Sequence, residues 1–490
     1  MAQATNKWNS SFAFIMAMIG SAVGLGNIWR FSYVVYSNGG GSFFIPYFTA
    51  IIIMAIPLLI LEYAIGYHFK DSISNILKKI KPKFEYIGWF ILVCVFLILT
   101  YYMVIIAWDF IYLLLSFFKG WGVAPATYFA NNIIVGGDNL KGILEFVLPV
   151  SIITIIFWVI VWFISHKDLN DGIGRVVKVL VPMLFLIMAI IVVYALTLPG
   201  QMIGLSELFT PNWSSLTNID IWLAAFGQVL FSLSIGLGIT IAYASYLPSN
   251  EKLIDKALIV VCSNSGFEIF TAVGVFSILG FMSLNSGIAV SDIATSGSGL
   301  LFIVFPEIFN IMGDVAYILG PLFFLCVLFA GLTSALSLME PLLCSLSYKF
   351  GFTRKKSVTI ICIIGVLISL IFTTGSGNYI LTTTDTFVNE FGILLGVIIQ
   401  TIIMAWCYGL DRFIPSLSNS SINMGRKWKF FVKNILPFVL LIMWISGVIG
   451  IFVSNTPETQ FIELILTIIF ILVPIILTKL PASDEPKILD

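Results

Sequence analysis

Gly20-Ser21-Ala22-Val23-Gly24-Leu25-Gly26-Asn27, with Arg30 three residues further on, sits in the middle of an apolar run from Phe12 to Tyr36. A run of that length can cross a bilayer, which takes about 20 residues of helix. Glycine costs a helix about 1 kcal/mol per position relative to alanine, and a charge at membrane depth costs at least about 3 kcal/mol. Three glycines, an asparagine and an arginine in one span therefore predict a broken helix whose open backbone lines a polar cavity and not lipid. A break exposes amide N–H groups at one new helix end and carbonyl oxygens at the other. The N–H groups after Gly24 and Gly26 suit a carboxylate. The carbonyls from Gly20 to Val23 suit a cation.

The rest of the chain fits a membrane setting. It has 490 residues, 59% hydrophobic and only 10% charged, against roughly 25% charged in soluble domains. Its formal net charge of zero argues for no nucleic-acid partner. The six cysteines, Cys94, Cys262, Cys326, Cys344, Cys362 and Cys407, all fall in apolar stretches, so no disulfide framework is expected. The first apolar run is too long for a cleavable signal. Apolar windows give twelve spans: 12–36, 42–68, 87–118, 147–165, 176–198, 220–246, 253–283, 317–347, 357–374, 380–408, 432–453 and 460–478. The lengths of spans 3, 8 and 10 imply tilt. Of the 25 Lys and Arg, 22 fall in the tails and the loops on the same side, and only Arg30, Lys119 and Lys141 on the other. Positive-inside bias then places both termini in the cytoplasm, and the protein in the cell membrane.

A second interruption, Phe231-Ser232-Leu233-Ser234-Ile235-Gly236-Leu237-Gly238, lies in span 6. Glycines alone can mean close helix packing. Paired interruptions that open two groups of five spans with opposite topology point instead to an inverted repeat. One membrane domain over 1–490 is expected, with halves 11–198 and 220–410 and a final helix pair in 432–478. The loop 284–316 carries Gly299 to Pro306, apolar but broken by proline, and reads as a re-entrant or lid-like hairpin.

Ser21-Ala22-Val23-Gly24-Leu25-Gly26-Asn27-Ile28-Trp29-Arg30-Phe31, continued by Asn38-Gly39-Gly40-Gly41, resembles the first-helix signature of the neurotransmitter:sodium symporter family, whose prokaryotic members include a bacterial leucine transporter. The resemblance extends through Pro57 and Glu62, Tyr101-Tyr102, Gly227-Gln228, Tyr243-Ala244-Ser245-Tyr246 and Ala330-Gly331-Leu332-Thr333-Ser334. It implies an all-α membrane fold of twelve helices, a 5+5 inverted repeat with discontinuous helices 1 and 6 plus two C-terminal helices. It also implies sodium-coupled import of an amino acid by alternating access.

The resemblance places a first sodium ion at Ala22, Asn27, Ser232 and Asn264, completed by the substrate carboxylate. It places a second at Gly20, Val23, Ala330, Thr333 and Ser334. A plainer reading of Thr333 and Ser334 is a hydroxyl bonding back along its own helix. Substrate contacts would come from Ser21, Ala22, Gly24, Gly26 and Ser232, with a side-chain pocket of Ile98, Tyr102, Phe231, Ser234, Leu237, Ser334 and Leu338. Monoamine-type relatives carry Asp where this chain has Gly24, so the substrate should bring its own carboxylate. The pocket has no charge and favours a neutral, hydrophobic amino acid. Arg30 and Asp385 resemble an outer gate pair, with Tyr102 and Phe231 closing beneath. Trp8 belongs to the inner gate.

Glu268 accompanies Tyr47, Gln228, Ser232 and Asn264, which surround chloride in chloride-dependent relatives. Those relatives have a small hydroxyl residue in place of Glu268. A carboxylate there implies chloride independence and proton counter-transport. Gly172 and Pro182 match a spacing that in relatives permits unwinding of span 5, and a simple proline kink is an equal reading. Two positions depart from the family: the inner Arg–Asp pair is replaced by Thr5 and Tyr348, leaving Trp8 packing, a Thr5–Tyr348 hydrogen bond, Lys7 or Glu340 to close that side. Ser32 replaces a common proline.

Other readings stay open. One is a carrier of small polar amino acids such as glycine or alanine, decided by the bulk at Leu237 and Leu338. Another is a sensor or channel on the same fold. No His cluster, phosphate loop or nucleophile–base pair stands out, so neither an enzyme nor an organic cofactor is expected. The oligomeric state is not fixed by the sequence.

Overall fold

The computed structural model describes residues 7–483 apart from 138, 291–297, 423 and 454–455. The described residues are helical throughout, with only two isolated β-bridges in the outer loops. Among the described residues, ten helices are long and apolar enough to span a membrane. They are span 2 (Gly41–Phe69), span 3 (Pro82–Ser116), span 4 (Leu148–Ser165), span 5 (Ile173–Ala195), span 7 (Leu253–Ser286), span 8 (Gly313–Phe350), span 9 (Arg354–Thr373), span 10 (Gly377–Leu417), span 11 (Gly425–Val453) and span 12 (Pro457–Lys479). An eleventh is the bent pair Ser11–Ala22 and Leu25–Ser37, which form span 1. The segment expected as span 6 is two shorter helices, Ile219–Ser232 and Ile239–Ser245, below the length of the other spans.

Helices satisfy every backbone group internally, which a hydrocarbon environment demands. Where each helix sits follows from its burial. In span 3, 83% of the most apolar window is buried, against 28% in span 11 and 22% in span 12. Span 3 is thus an interior post, and the last two spans form a lipid-facing rim. Spans 3 and 8 lie along one another, with Ile106 against Gly331 and Ser116 against Gly320.

The outer loops cover one end. Gly39 (φ +92°) and Gly40 (φ +58°) take left-handed conformations that side chains resist. The turn they make bridges Gly40 to Pro211 and lays Gly41 on the carbonyl of Phe209. The apolar segment before Pro306 is a short helix, Leu300–Ile311, and not a span. Phe302 packs on Tyr112 and Phe129, and Phe305 stacks on Phe323, so it lies over spans 3 and 8. All six cysteines are unpaired.

Candidate functional site

Span 1 breaks at Val23 and Gly24. The Val23 N–H still reaches the Ile19 carbonyl at 2.7 Å. Gly24 is extended (φ −114°, ψ −167°), and its N–H turns to Asn27 Oδ1 at 2.9 Å. The two halves bend by 51°. Space, more than conformation, restricts position 24: a β-carbon there would stand 3.0 Å from Ser334 Oγ and 3.4 Å from the Tyr102 hydroxyl.

Span 6 breaks over 233–238, where Ser234 (φ +53°), Gly236 (φ +83°) and Gly238 (φ +69°) are left-handed. The two breaks touch, because the Ser234 hydroxyl donates to the Ser21 carbonyl at 2.9 Å. A buried carboxylate holds the second break. Glu62 Oε1 accepts from the Gly236 N–H at 2.9 Å and from Gln400 Nε2 at 3.2 Å. Sequence reasoning reached Glu62 by resemblance alone and missed Gln400. The available signal was an acid inside a span, which is a functional candidate by default.

The residues expected around the first ion form one buried chain. Asn27 Nδ2 donates to Asn264 Oδ1 at 2.8 Å, and Asn264 Nδ2 donates to Ser232 Oγ at 2.9 Å. Spans 1, 7 and 6 are thereby joined through neutral oxygens and amides. Ala22 is buried on the same turn, and its carbonyl accepts from the Gly24 N–H at 3.0 Å. Glu268 lies beside this chain with no exposure; it accepts from Gln228 Nε2 at 2.6 Å and from the Tyr47 hydroxyl.

Around the expected second ion, Gly20 packs on Thr333, and Ser334 Oγ reaches the Gly20 carbonyl at 3.4 Å. Val23 and Ala330 are fully buried beside them. The Thr333 hydroxyl bonds back to Phe329 O at 3.0 Å and Ala330 O at 3.1 Å, which is the plainer arrangement weighed above.

One cavity of about 660 Å³ opens onto both breaks. All twelve residues expected to contact substrate line it: Ser21, Ala22, Gly24, Gly26, Ile98, Tyr102, Phe231, Ser232, Ser234, Leu237, Ser334 and Leu338. Its charged lining consists of Arg30, Asp385 and Glu390. The expected outer gate pair does not meet: no ion pair joins Arg30 and Asp385. Arg30 lies over the Phe231 ring at 5.0 Å. Asp385 Oδ1 is occupied by the Tyr101 hydroxyl at 2.6 Å and Asn389 Nδ2 at 2.8 Å. The two side chains expected to form the outer gate thus have separate partners, an arrangement that the sequence does not encode.

The end expected to face the cytoplasm is closely packed. Trp8 is buried, its Nε1 donates to the Tyr243 carbonyl at 2.9 Å, and its ring meets Phe14 and Tyr243 edge-on. Arg354 grips Glu340 with two bonds of 2.8 Å, and the Tyr246 hydroxyl adds a third to Glu340 at 2.8 Å. Thr5 lies outside the described residues. Tyr348 donates to the Lys70 carbonyl at 3.3 Å. Glu340 was among the inner-side candidates, but its partner Arg354 was not, because the two belong to successive spans. Gly172 caps the start of span 5, and Pro182 lies inside it.

Comparison with known proteins follows the same line. The family model described as the sodium:neurotransmitter symporter family matches residues 5–134 and 122–482. An uncharacterized sodium-dependent transporter of Methanocaldococcus jannaschii is 38% identical over 434 residues, covering 88% of this chain and 88% of that one. The human sodium- and chloride-dependent creatine transporter 1 is 31% identical over 459 residues, 84% of this chain and 72% of that protein. The human sodium- and chloride-dependent GABA transporter 2 is 31% identical over 451 residues, 84% and 74% respectively. A multi-pass membrane protein built around two broken helices, the chain is a sodium-dependent transporter and no enzyme, and it belongs to the sodium:neurotransmitter symporter family.

Proposed function

We propose that the chain imports a neutral, hydrophobic amino acid together with two sodium ions, without chloride, by alternating access of the halves 11–198 and 220–410, from a membrane in which both termini face the cytoplasm. The observation that carries this reading is the meeting of two interrupted helices at one cavity whose deep wall is uncharged. The first turn of the second half-helix, Leu25 and Gly26, faces that cavity and supplies the positive end of a helix dipole to a carboxylate. Gly24 brings no acidic side chain to the cavity, and a β-carbon there would press on Ser334 Oγ at 3.0 Å. Ile98, Leu237 and Leu338 give the side-chain pocket an apolar lining, which favours a branched or aromatic substrate over glycine or alanine.

The neutral oxygens of Asn27, Ser232 and Asn264 suit sodium, and a substrate carboxylate completing that shell couples ion to cargo directly. Two sodium ions entering across about 100 mV release roughly 4.6 kcal/mol. A tenfold gradient adds about 1.4 kcal/mol per ion. Together they support roughly 10⁵-fold accumulation. With sodium bound, ionised Glu268 supplies a negative charge beside the first ion, the role a chloride ion would otherwise fill, and it takes up a proton when the sodium sites empty.

Uptake by purified protein in vesicles, with an imposed sodium gradient and all twenty amino acids in competition, tests the reading. Leucine-sized or aromatic competitors should block strongest. Uptake that persists in potassium alone, or is blocked only by glycine and alanine, would refute it.

A further inference from the structure

Span 3 carries an acid that none of these sites uses. Asp109 is 1% exposed, and neither of its carboxylate oxygens has a hydrogen-bond partner in the protein. It lies on the seam with span 8. Ile106 meets Gly331 and Ser116 meets Gly320, and Asp109 is three residues from the first and seven from the second, on one helix face. The titratable groups facing it are Cys326 from span 8 and Tyr102 on its own helix. No Lys, Arg or His among the described residues pairs with it. An isolated ionised carboxylate in such a place is prohibitively costly, and the group neutralises instead.

We propose that Asp109 is a proton-binding site, loaded in this arrangement and unloaded when a cation enters at Ala330, Thr333 and Ser334. Gly331 marks the level of that cation site on the facing helix, and three residues of helix rise is about 4.5 Å. A cation held on the facing helix near that level, in a low-dielectric surrounding that screens it little, favours the ionised carboxylate. The O–H bond then breaks, its electron pair stays on the carboxylate, and the proton passes to water. Trp108, the preceding residue, lines the cavity. The coupling is reciprocal: a bound proton weakens sodium binding, and sodium expels the proton. The proposal rests on the second cation site described above and is separate from Glu268.

Two measurements on the full-length purified protein test it. Infrared spectra of sodium-free protein should contain a protonated-carboxyl band that shifts with ¹³C-aspartate labelling and disappears in Asp109→Asn. Adding sodium chloride in weak buffer, against a potassium chloride control, should release protons. In a Glu268→Gln background, Asp109→Asn should lower that release by about one proton per chain. Asp109→Glu should retain it with a shifted pH midpoint. Radioactive sodium binding is followed in the same samples. If sodium binds but the aspartate-derived band is missing, or release is unchanged by Asp109→Asn, the proton site is wrong while the cation site stands. If wild-type protein binds no sodium, the cation site itself falls, and the proposal with it.

Discussion

Replacing Glu268 by serine should convert the protein into a chloride-requiring transporter. In the native structure the carboxylate is fully buried and takes hydrogen bonds from Gln228 Nε2 at 2.6 Å and from the Tyr47 hydroxyl. Serine is too short to reach either donor. Each buried donor left unpaired costs about 1–3 kcal/mol, so the two cost about 2–6 kcal/mol. Expressed in transport rate, that is a loss of about 30-fold to about 10⁴-fold in chloride-free medium. The vacated space is lined by the same two donors, and an anion held there would satisfy both and restore the negative charge beside Asn264 and Ser232. The assay is sodium-driven amino-acid uptake in vesicles, with chloride replaced by gluconate on both sides. Wild type should be indifferent to the exchange, and Glu268→Ser should recover most of its activity with chloride. The reasoning fails if the variant runs at full rate in gluconate, or if chloride stimulates the wild type.

Four further perturbations follow from the same geometry. Gly24→Asp should lower amino-acid uptake by about 10- to 100-fold, the worth of a charged hydrogen bond of about 1.5–3 kcal/mol, because its β-carbon would crowd Ser334 Oγ and its carboxylate would repel the substrate's; competition by amino acids reads this. Thr333→Val should raise the sodium concentration for half-maximal binding about tenfold while leaving the melting temperature near wild type, since one neutral ligand of about 1.4 kcal/mol is lost. Glu340→Gln should destabilise the detergent-solubilised protein by about 3–5 kcal/mol, seen as an earlier thermal unfolding transition, because Arg354 is left as an unpaired buried charge. Trp8→Ala should open the inner side: it removes a core tryptophan, a loss of about 3–5 kcal/mol, and a probe thiol introduced in the span 6 break should become reactive from the cytoplasmic face.

Sequence reading reached the parts of this molecule whose physics is local. A glycine or a charge inside an apolar run is unfavourable at its own position, so both helix breaks and the cavity beside them could be placed without coordinates. The parts that were missed depend on partners far apart in the chain. Gln400 reaches Glu62 across 338 residues, and no periodicity announces such a contact. Arg354 sits at the start of span 9, where a basic residue also reads as ordinary positive-inside bias, and only packing shows it buried against Glu340. Arg30 and Asp385 were paired by resemblance, yet here each has a different partner. One sequence encodes every state of an alternating-access cycle, so which gate is closed is not legible in it.

The contacts at the two ends of the cavity differ, and on the proposed alternating-access reading that difference bears on the order of the cycle. Outside, closing requires Arg30 to leave the Phe231 ring, a contact worth about 0.5–2 kcal/mol, and Asp385 to exchange two hydrogen bonds worth about 1 kcal/mol net each. Inside, opening must part Trp8 from Tyr243 and disturb the Tyr246–Glu340–Arg354 cluster, whose members come from spans 6, 8 and 9 and from the chain before span 1. On the proposed reading the empty protein is expected to rest outward-open, which thiol accessibility from the two faces in sodium-free medium would check. Shifting such an equilibrium from 1:99 to 99:1 takes about 5.5 kcal/mol of differential binding, and a ligand that binds both forms equally shifts nothing. Sodium and substrate must consequently gain contacts on closure that the open form lacks. The side chains able to provide them are Asn27, Ser232, Thr333 and Ser334, on spans 1, 6 and 8. Spans 6 and 8 also carry the inner seal, and Trp8 precedes span 1 directly. Filling the site and releasing the seal thus act on the same helices, which is how occupancy at mid-membrane can open the far side.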